Sequence, residues 1–378
     1  MEIEVKTENF KKVVSCTSRA TSTKAVQPIL NNILLSCENG SLMVSATDLD
    51  LSIECKLQAE VGKPGRITLP AKKLDEIMGK IPGDDVRIHI GKNQLAEIIS
   101  IKSKFKINGT SSDEFPEIIK KEKKAQAVVI DQNELIRALS LTYFAASRFE
   151  STSILSGVSF EVSGDKFEIA ATDGSRLARY VGSISKESTQ EKEKRSVVIP
   201  GRALQELERL LTSFKEGNDK VFLYFMAGQI IVENNDFSLS TRLISGTFPT
   251  YDKLIPQHQS NEGIFSRADL LGALERVAIL ANERTNVVKM TMTKGEKTVT
   301  ISADSPDYGN AVDEVEVDYK GSSLDVAFNY RYLSEALRNL QANEVILELE
   351  TSLSPIVLKL KEETDYDYTY LVMPVQLR

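Results

Sequence analysis

One pattern occurs three times along this chain, and that repetition restricts the available folds more than any other feature. Each copy opens with a polar residue and an amphipathic helix, at residues 7–19, 131–142 and 266–278. Apolar residues recur there at helical spacing, as in Leu270, Leu271, Leu274 and Val277. Thr7, Asp131 and Ser266 are the residue types that cap such helices. A strand pair follows each helix, at 31–37 with 40–48, 156–162 with 166–173, and 288–293 with 298–304. The turns carry Asn39-Gly40, Gly164-Asp165 and Gly295-Glu296, which suit tight hairpins. A second helix recurs at 69–78, 199–208 and 328–337, and alternating strands follow it. Leu74, Leu204 and Leu333 align in these helices, a period of about 130 residues. The chain therefore reads as α+β, three tandem copies of a helix-strands-helix-strands domain, with domains at 1–125, 126–255 and 256–378. Residues 117–124 read as a charged, solvated linker, and 183–195 as a mobile polar loop inside the second domain.

Charge decides the next question. The 378 residues carry a net charge of −7, whereas proteins that wrap nucleic acid by counterion release carry a basic surplus. A negative total still permits cations gathered on one surface. The helices supply them. Lys11, Lys12, Arg19 and Lys24 belong to the first copy's opening helix and its sequel, and Lys72, Lys73 and Lys80 to that copy's second helix. Arg137, Arg148, Arg202, Arg209 and Lys215 repeat the arrangement, as do Arg276, Arg284, Arg331 and Arg338. Any one of these alone reads as a solvated helix face. Lys72 and Lys73, Arg202 and Arg331, however, sit near the start of equivalent helices, so a rotation relating the repeats turns them to a common side.

A triplicated domain either closes into a ring or forms an open array. Two copies of the chain bring six domains and twelve helices. At about 10 Å per packed helix the circumference is near 120 Å, and the opening is roughly 28 Å. A double helix about 20 Å wide passes through such an opening with a layer of water. Helix cations lining it meet phosphates without reading bases. Retention then comes from topology, which reconciles the grip with the negative total.

Three segments resemble one family closely: Ala171-Thr-Asp-Gly-Ser-Arg-Leu-Ala178, Phe248-Pro-Thr-Tyr-Asp-Lys-Leu-Ile-Pro256 and Tyr370-Leu-Val-Met-Pro-Val375. With Pro28-Ile-Leu-Asn-Asn-Ile and Ala46-Thr-Asp-Leu-Asp-Leu, they make the whole chain resemble the bacterial sliding clamps, the beta subunits of DNA polymerase III holoenzyme. The resemblance implies the DNA clamp fold and a head-to-tail homodimer closing a six-domain ring with helices lining the hole. It implies sequence-independent contact with duplex DNA, with Lys24, Lys72, Lys73, Arg148, Arg202, Arg209, Arg284 and Arg331 facing it. It also implies a groove for short peptides carrying glutamine, leucine and phenylalanine. Through these the replicative polymerase, the clamp loader, other polymerases and repair proteins are tethered. Carried over by position, the groove takes Leu155, Thr172, Gly174, Ser175, Arg176 and Leu177 from the second domain. Pro249, Lys253 and Leu254 come from the segment that follows, and Pro355, Leu371, Val372, Met373, Pro374 and Val375 from the third domain. Apolar anchors need an apolar, preformed pocket, and Met373 adapts to several partners. The competing reading makes Leu155 and Val372 simple core. The dimer contact would join Lys104, Phe105 and Ile107, on an alternating edge strand, to Ile279 and Leu280. The acidic run Asp313-Glu-Val-Glu-Val could face Lys102, Lys104 and Lys106.

The sequence departs from the family at three places: Ser175 stands where a histidine can occur, Lys253 where an arginine can, and the tail reads Val375-Gln-Leu-Arg378. An enzyme reading lacks a constellation. Asp48 with Asp50, or Asp173 with Ser175, are the candidates for metal ligands or a nucleophile site. Asp48 and Asp173, however, sit at hairpin ends, where capping turns is the commoner role, and there is no phosphate loop, HExxH or GxSxG. No catalytic residue, cofactor or metal is therefore expected. Cys16, Cys37 and Cys55 form no CxxC pair and read as reduced, buried side chains. No basic-then-apolar leader opens the chain and no run reaches a membrane span, so a cytoplasmic, nucleoid-associated protein is expected.

Overall fold

A computed structural model describes residues 1–22, 27–91, 93–122, 124–148, 153–188, 191–217 and 219–376. Six α-helices are present among them: α1 (Thr7–Thr17), α2 (Ala71–Met78), α3 (Gln132–Ser140), α4 (Gly201–Ser213), α5 (Arg267–Val277) and α6 (Tyr330–Asn339). They stand where the repeat puts two per copy. Asp131 Oδ1 accepts from Glu134 N at 3.0 Å, and the Ser266 hydroxyl accepts from Asp269 N, so both cap as expected. Thr7 does not: Lys6 is the N-cap of α1, and the Thr7 hydroxyl lies buried at the first helical position. The preceding strand runs to Lys6 and leaves no room for a separate cap residue.

The apolar faces of the helices explain their placement. Phe10, Val13 and Val14 of α1 and Leu74 and Met78 of α2 are buried, and the two helices pack together. Leu270, Leu274 and Val277 of α5 with Leu333 and Leu337 of α6 repeat the arrangement. In α4, Leu204, Leu207, Leu210 and Leu211 are all buried, worth about 2 kcal/mol each against exposure. No helix among the described residues is long and apolar enough to cross a membrane.

Most strands form half-sheets of four, two per repeat, with the short strands Glu60–Lys63 and Asp318–Lys320 added at sheet ends. The first type comprises Glu2–Lys6, Asp85–Ile90, Leu95–Ser100 and Ser103–Asn108, and it recurs as Val128–Asp131, Lys220–Met226, Gln229–Glu233 and Phe237–Arg242. Its third copy is Asn261–Ser266, Glu344–Leu349, Ile356–Leu360 and Asp367–Val372. The second type begins as Gly65–Pro70, Asn32–Glu38, Ser41–Thr47 and Leu51–Gln58, and also occurs three times. Neighbouring repeats fuse edge to edge. Phe237–Arg242 pairs antiparallel with Leu51–Gln58, placing Leu239 opposite Ile53. Arg176–Ser183 pairs with Asp367–Val372, placing Ala178 opposite Tyr370.

Packing accordingly divides the chain into two compact units, Met1–Ile136 with Ile184–Thr189 and Arg202–Leu243, and Arg137–Ser183 with Gln190–Gly201 and Ile244–Arg378. The division cuts the middle repeat because each of its half-sheets is hydrogen-bonded into a neighbour's. Two of the strands that end a sheet among the described residues matter below. Ser103–Asn108 ends the five-stranded sheet of the first unit, and Gly309–Glu316 ends the four-stranded sheet of the second.

One loop expectation changes, and one loop gains an anchor. Residues 191–195 are not loop: Glu191–Pro200 is a strand beside Gly157–Gly164, with Lys194 paired to Glu161 at 2.7 Å. An edge strand can carry charged residues when its backbone has a ladder to join. The charged linker is tied down too, since Lys121 donates to the Tyr224 hydroxyl at 2.8 Å and pairs with Glu233. The three cysteines are free and buried.

Candidate functional site

The turn between Lys166–Thr172 and Arg176–Ser183 is built by its own side chains. Asp173 Oδ1 accepts from Ser175 N at 2.9 Å and Arg176 N at 3.2 Å. The Thr172 hydroxyl donates to Arg176 O at 2.6 Å and accepts from Gly174 N at 3.1 Å. Gly174 has φ +89°, a conformation that side chains disfavour. Arg176 turns inward and is 6% exposed. Its Nε donates to Asp173 Oδ2 at 3.0 Å, Nη1 to Glu335 Oε2 at 2.5 Å and Nη2 to Phe144 O at 2.8 Å. The guanidinium also lies 4.6 Å from the Tyr332 ring centre. Burial alone would lower its pKa, but Tyr370 and the carboxylates of Glu335 and Asp173 hold it above its ordinary value.

The groove residues fall into two layers. Leu177 and Leu371 join Ala170, Val357 and Tyr251 in a buried cluster, against which Phe248 and Ile255 pack. Val372 is wholly buried, as the core reading anticipated, while Leu155 is half-buried. Above them Leu254 is 52% exposed, and Met373 and Val375 are 38% exposed. Pro249 and Lys253 are exposed, and Pro355 and Pro374 half-buried. Met373 N donates to Ser175 O at 2.8 Å, fastening the tail to the turn, and Val375 N donates to Ala327 O at 2.7 Å. A cleft of about 310 Å³ continues from Val375 and Gln376 along Lys289, Asp325 and Leu353. Sequence reading missed Leu353, although an apolar residue between Ser352 and Ser354 marks an exposed loop tip. It also missed Glu335, Tyr332 and Phe144, the partners of Arg176.

The same register at the other fused edge gives no such floor. Ser45, Ser52 and Ser240 occupy the ladder positions that Ala170, Leu177 and Leu371 hold here. Ser45 donates to Glu54 at 3.3 Å and Ser52 to Thr47 at 2.8 Å. Leucine and phenylalanine side chains would gain nothing by displacing those bonds, so this edge lacks the apolar floor found at the other.

The helix cations are exposed: Lys72 and Lys73 on α2, Arg202 and Arg209 on α4, Arg331 on α6, and Arg148 and Arg284 beyond α3 and α5. Lys24 lies outside the described residues. Arg202 pairs with Asp48 at 2.6 Å, Arg209 with Glu206 at 2.8 Å, Lys73 with Glu76 at 2.7 Å and Arg148 with Glu335 at 3.8 Å. Lys72, Arg284 and Arg331 make no ion pair among the described residues.

On the unpaired edge, Phe105 and Ile107 are half-buried and alternate with exposed Lys104 and Lys106. Ile279 is 78% exposed and Leu280 half-buried. Glu97 takes both lysines, at 2.9 and 3.0 Å, and Asp313 takes Arg276 at 2.6 Å. The expected attraction between the two strands thus has competitors within the chain, and Lys102, Glu314 and Glu316 are the exposed charges left for it. Those two lysines draw the Glu97 carboxyl down to about 2. Its contribution is present above the usual carboxylate range and is lost as pH falls toward 2. No group of three or more metal-ligating side chains occurs among the described residues.

Comparison with known proteins follows the repeat. Residues 1–119, 129–250 and 252–376 match the N-terminal, central and C-terminal domains of the DNA polymerase III beta subunit. A beta sliding clamp of Synechococcus elongatus is 34% identical over 368 residues, covering 97% of this chain and 96% of the relative. The beta sliding clamp of Staphylococcus epidermidis is 27% identical over 386 residues, covering 100% and 99%. The crystal structure of a Bacillus subtilis DNA polymerase sliding clamp superimposes with a TM-score of 0.89 at 27% identity, covering 100% of both chains. A Pseudomonas aeruginosa sliding clamp bound to griselimycin does the same, with TM-score 0.89, 27% identity and full coverage of both.

Proposed function

The chain belongs to the DNA polymerase III beta subunit family, and we propose from that membership that it is a DNA sliding clamp, a non-catalytic processivity factor. Two copies close into a ring around duplex DNA. The ring holds the replicative polymerase, the clamp loader and other DNA-processing proteins by short peptides seated in the groove. It works in the cytoplasm, with the nucleoid.

One observation carries the reading. Leu51–Gln58 and Arg176–Ser183 each pair with the last strand of the next first-type half-sheet. Their third counterpart, Gly309–Glu316, and the remaining strand of the other kind, Ser103–Asn108, lack the equivalent pairing and each end a sheet within the chain. A partner copy supplies each with what it lacks, twice, so the assembly closes instead of growing. The domain limits 1–125, 126–255 and 256–378 follow the same logic, as do Lys104, Phe105 and Ile107 against Ile279 and Leu280 at the junction. Exposed Leu254, Met373 and Val375 over a leucine floor suit a peptide with leucine and phenylalanine anchors.

Retention on nicked circular duplex after loading with a bacterial clamp loader and ATP, and release on linearisation, is the expected behaviour. Equal elution from circles and linear fragments would reject it, leaving a peptide scaffold that does not encircle DNA. Arg284→Ala and Arg331→Ala are expected to weaken duplex contact equally for all sequences. Each should lower the slope of log K against log salt by about 1. Arg202→Ala should lower it by less, because Asp48 already takes that charge. An unchanged slope for both unpaired arginines would remove them from the DNA-facing set.

A further inference from the structure

Glu335 of α6 stands between two cations of opposite circumstance. Its Oε2 accepts from Arg176 Nη1 at 2.5 Å, and its Oε1 lies 3.8 Å from Arg148 Nη2. Arg176 is buried beneath the groove's turn, whereas the Arg148 side chain is 71% exposed and belongs to the proposed DNA-facing set. From Arg176 the connection runs on through Asp173, whose other oxygen holds the backbone of Ser175 and Arg176, to the Ser175 carbonyl that fixes Met373. Every contact in this series lies within one compact unit.

We propose that Glu335 is a positioning residue that couples the DNA-facing Arg148 to the peptide groove. Duplex at Arg148 tightens peptide binding, and bound peptide tightens the hold on duplex by the same factor. The inference rests on the groove and DNA-facing assignments made above. A phosphate oxygen competes with Glu335 for the Arg148 guanidinium. When Arg148 turns to phosphate, Glu335 gives up its long contact and keeps its short one, so the whole carboxylate faces Arg176. Arg176 is then held more firmly against Asp173, and the turn carrying Gly174 and Ser175 is better organised before peptide arrives. Reciprocity follows from linkage. The effect is modest, about 3-fold, because the Arg148 contact is long and bathed in solvent.

The test measures anisotropy of a fluorescent peptide carrying glutamine, leucine and phenylalanine. Full-length protein is used alone and then threaded on saturating linear duplex with blocked ends. The wild type is expected to bind about 3-fold more tightly on duplex. That ratio is expected to fall to 1 in Glu335→Gln and in Arg148→Ala, and to return in part in Glu335→Asp. A Glu335 with a merely structural role would shift both affinities together and leave the ratio unchanged, which overturns the coupling. A ratio of 1 in the wild type overturns it as well. No peptide binding in either state would overturn the groove assignment, and the coupling with it. Arg148→Ala decides alone if Glu335→Gln does not fold, since Arg148 is exposed.

Discussion

Arg176→Ala is expected to destabilise the protein by about 3 kcal/mol and to weaken peptide binding at least tenfold. Removing one member of a buried ionic network costs about 3–5 kcal/mol, chiefly because the remaining charges keep their desolvation without their partner. Here the members left are Asp173, with a side chain 16% exposed, and Glu335, 30% exposed. Glu335 recovers some hydration, which sets the cost near the lower end. The Phe144 carbonyl also loses its donor. Arg176→Lys keeps the charge but not the fork, and one ammonium cannot reach Asp173, Glu335 and Phe144 together, so it restores about half of the loss. Urea unfolding at constant m-value reads the stability, and peptide anisotropy reads the groove. A shift below about 1 kcal/mol for the alanine variant would mean that water already serves the two carboxylates, and the turn would then need another explanation.

The repeat was legible because helical and hairpin periodicities are local properties, and three copies reinforce one another. The second helix of each copy lies where the spacing of Leu74, Leu204 and Leu333 puts it, and the opening helices lie where their own apolar periodicity does. Fusion of half-sheets between repeats was not legible, since alternation fixes which face of a strand is buried but not which strand lies beside it. The same limit hid Glu191–Pro200. Its charged opening reads as loop until Gly157–Gly164 supplies a ladder. Thr7 failed as a cap because the residue type fits N-cap and first-turn positions alike, and the length of the preceding strand decides between them.

The groove divides in the same manner. Its residues were placed by resemblance, and the structure brings the turn, the Phe248–Ile255 stretch and the tail together through Met373 N to Ser175 O and the leucine floor. The partner of Arg176 lies 159 residues away on α6. No local pattern announces such a pairing. The serines that remove a groove from the other fused edge were visible as letters, but they gained meaning only from the register that sets Ser240 opposite Ser52 and Leu371 opposite Leu177.

Ile279→Asp is expected to convert the dimer to monomers while leaving each chain folded. Ile279 is 78% exposed in the single chain, so the substitution removes little from the monomer's own core, and exposed positions change stability by within about 0.5 kcal/mol. In the proposed assembly the side chain is buried against the partner's edge strand around Phe105 and Ile107. Lost burial of an isoleucine and desolvation of an unpaired carboxylate together cost about 3 kcal/mol. A two-membered ring has two identical junctions, so the change is felt twice, about 6 kcal/mol in all. The dissociation constant should rise by roughly four orders of magnitude. Sedimentation equilibrium at micromolar protein reads the association directly, with loss of retention on nicked circles as its consequence. Peptide binding survives, because the groove is built within one chain. A variant that still sediments as a dimer would move the junction away from Ile279. One that loses peptide binding together with the dimer would show that the groove depends on ring closure.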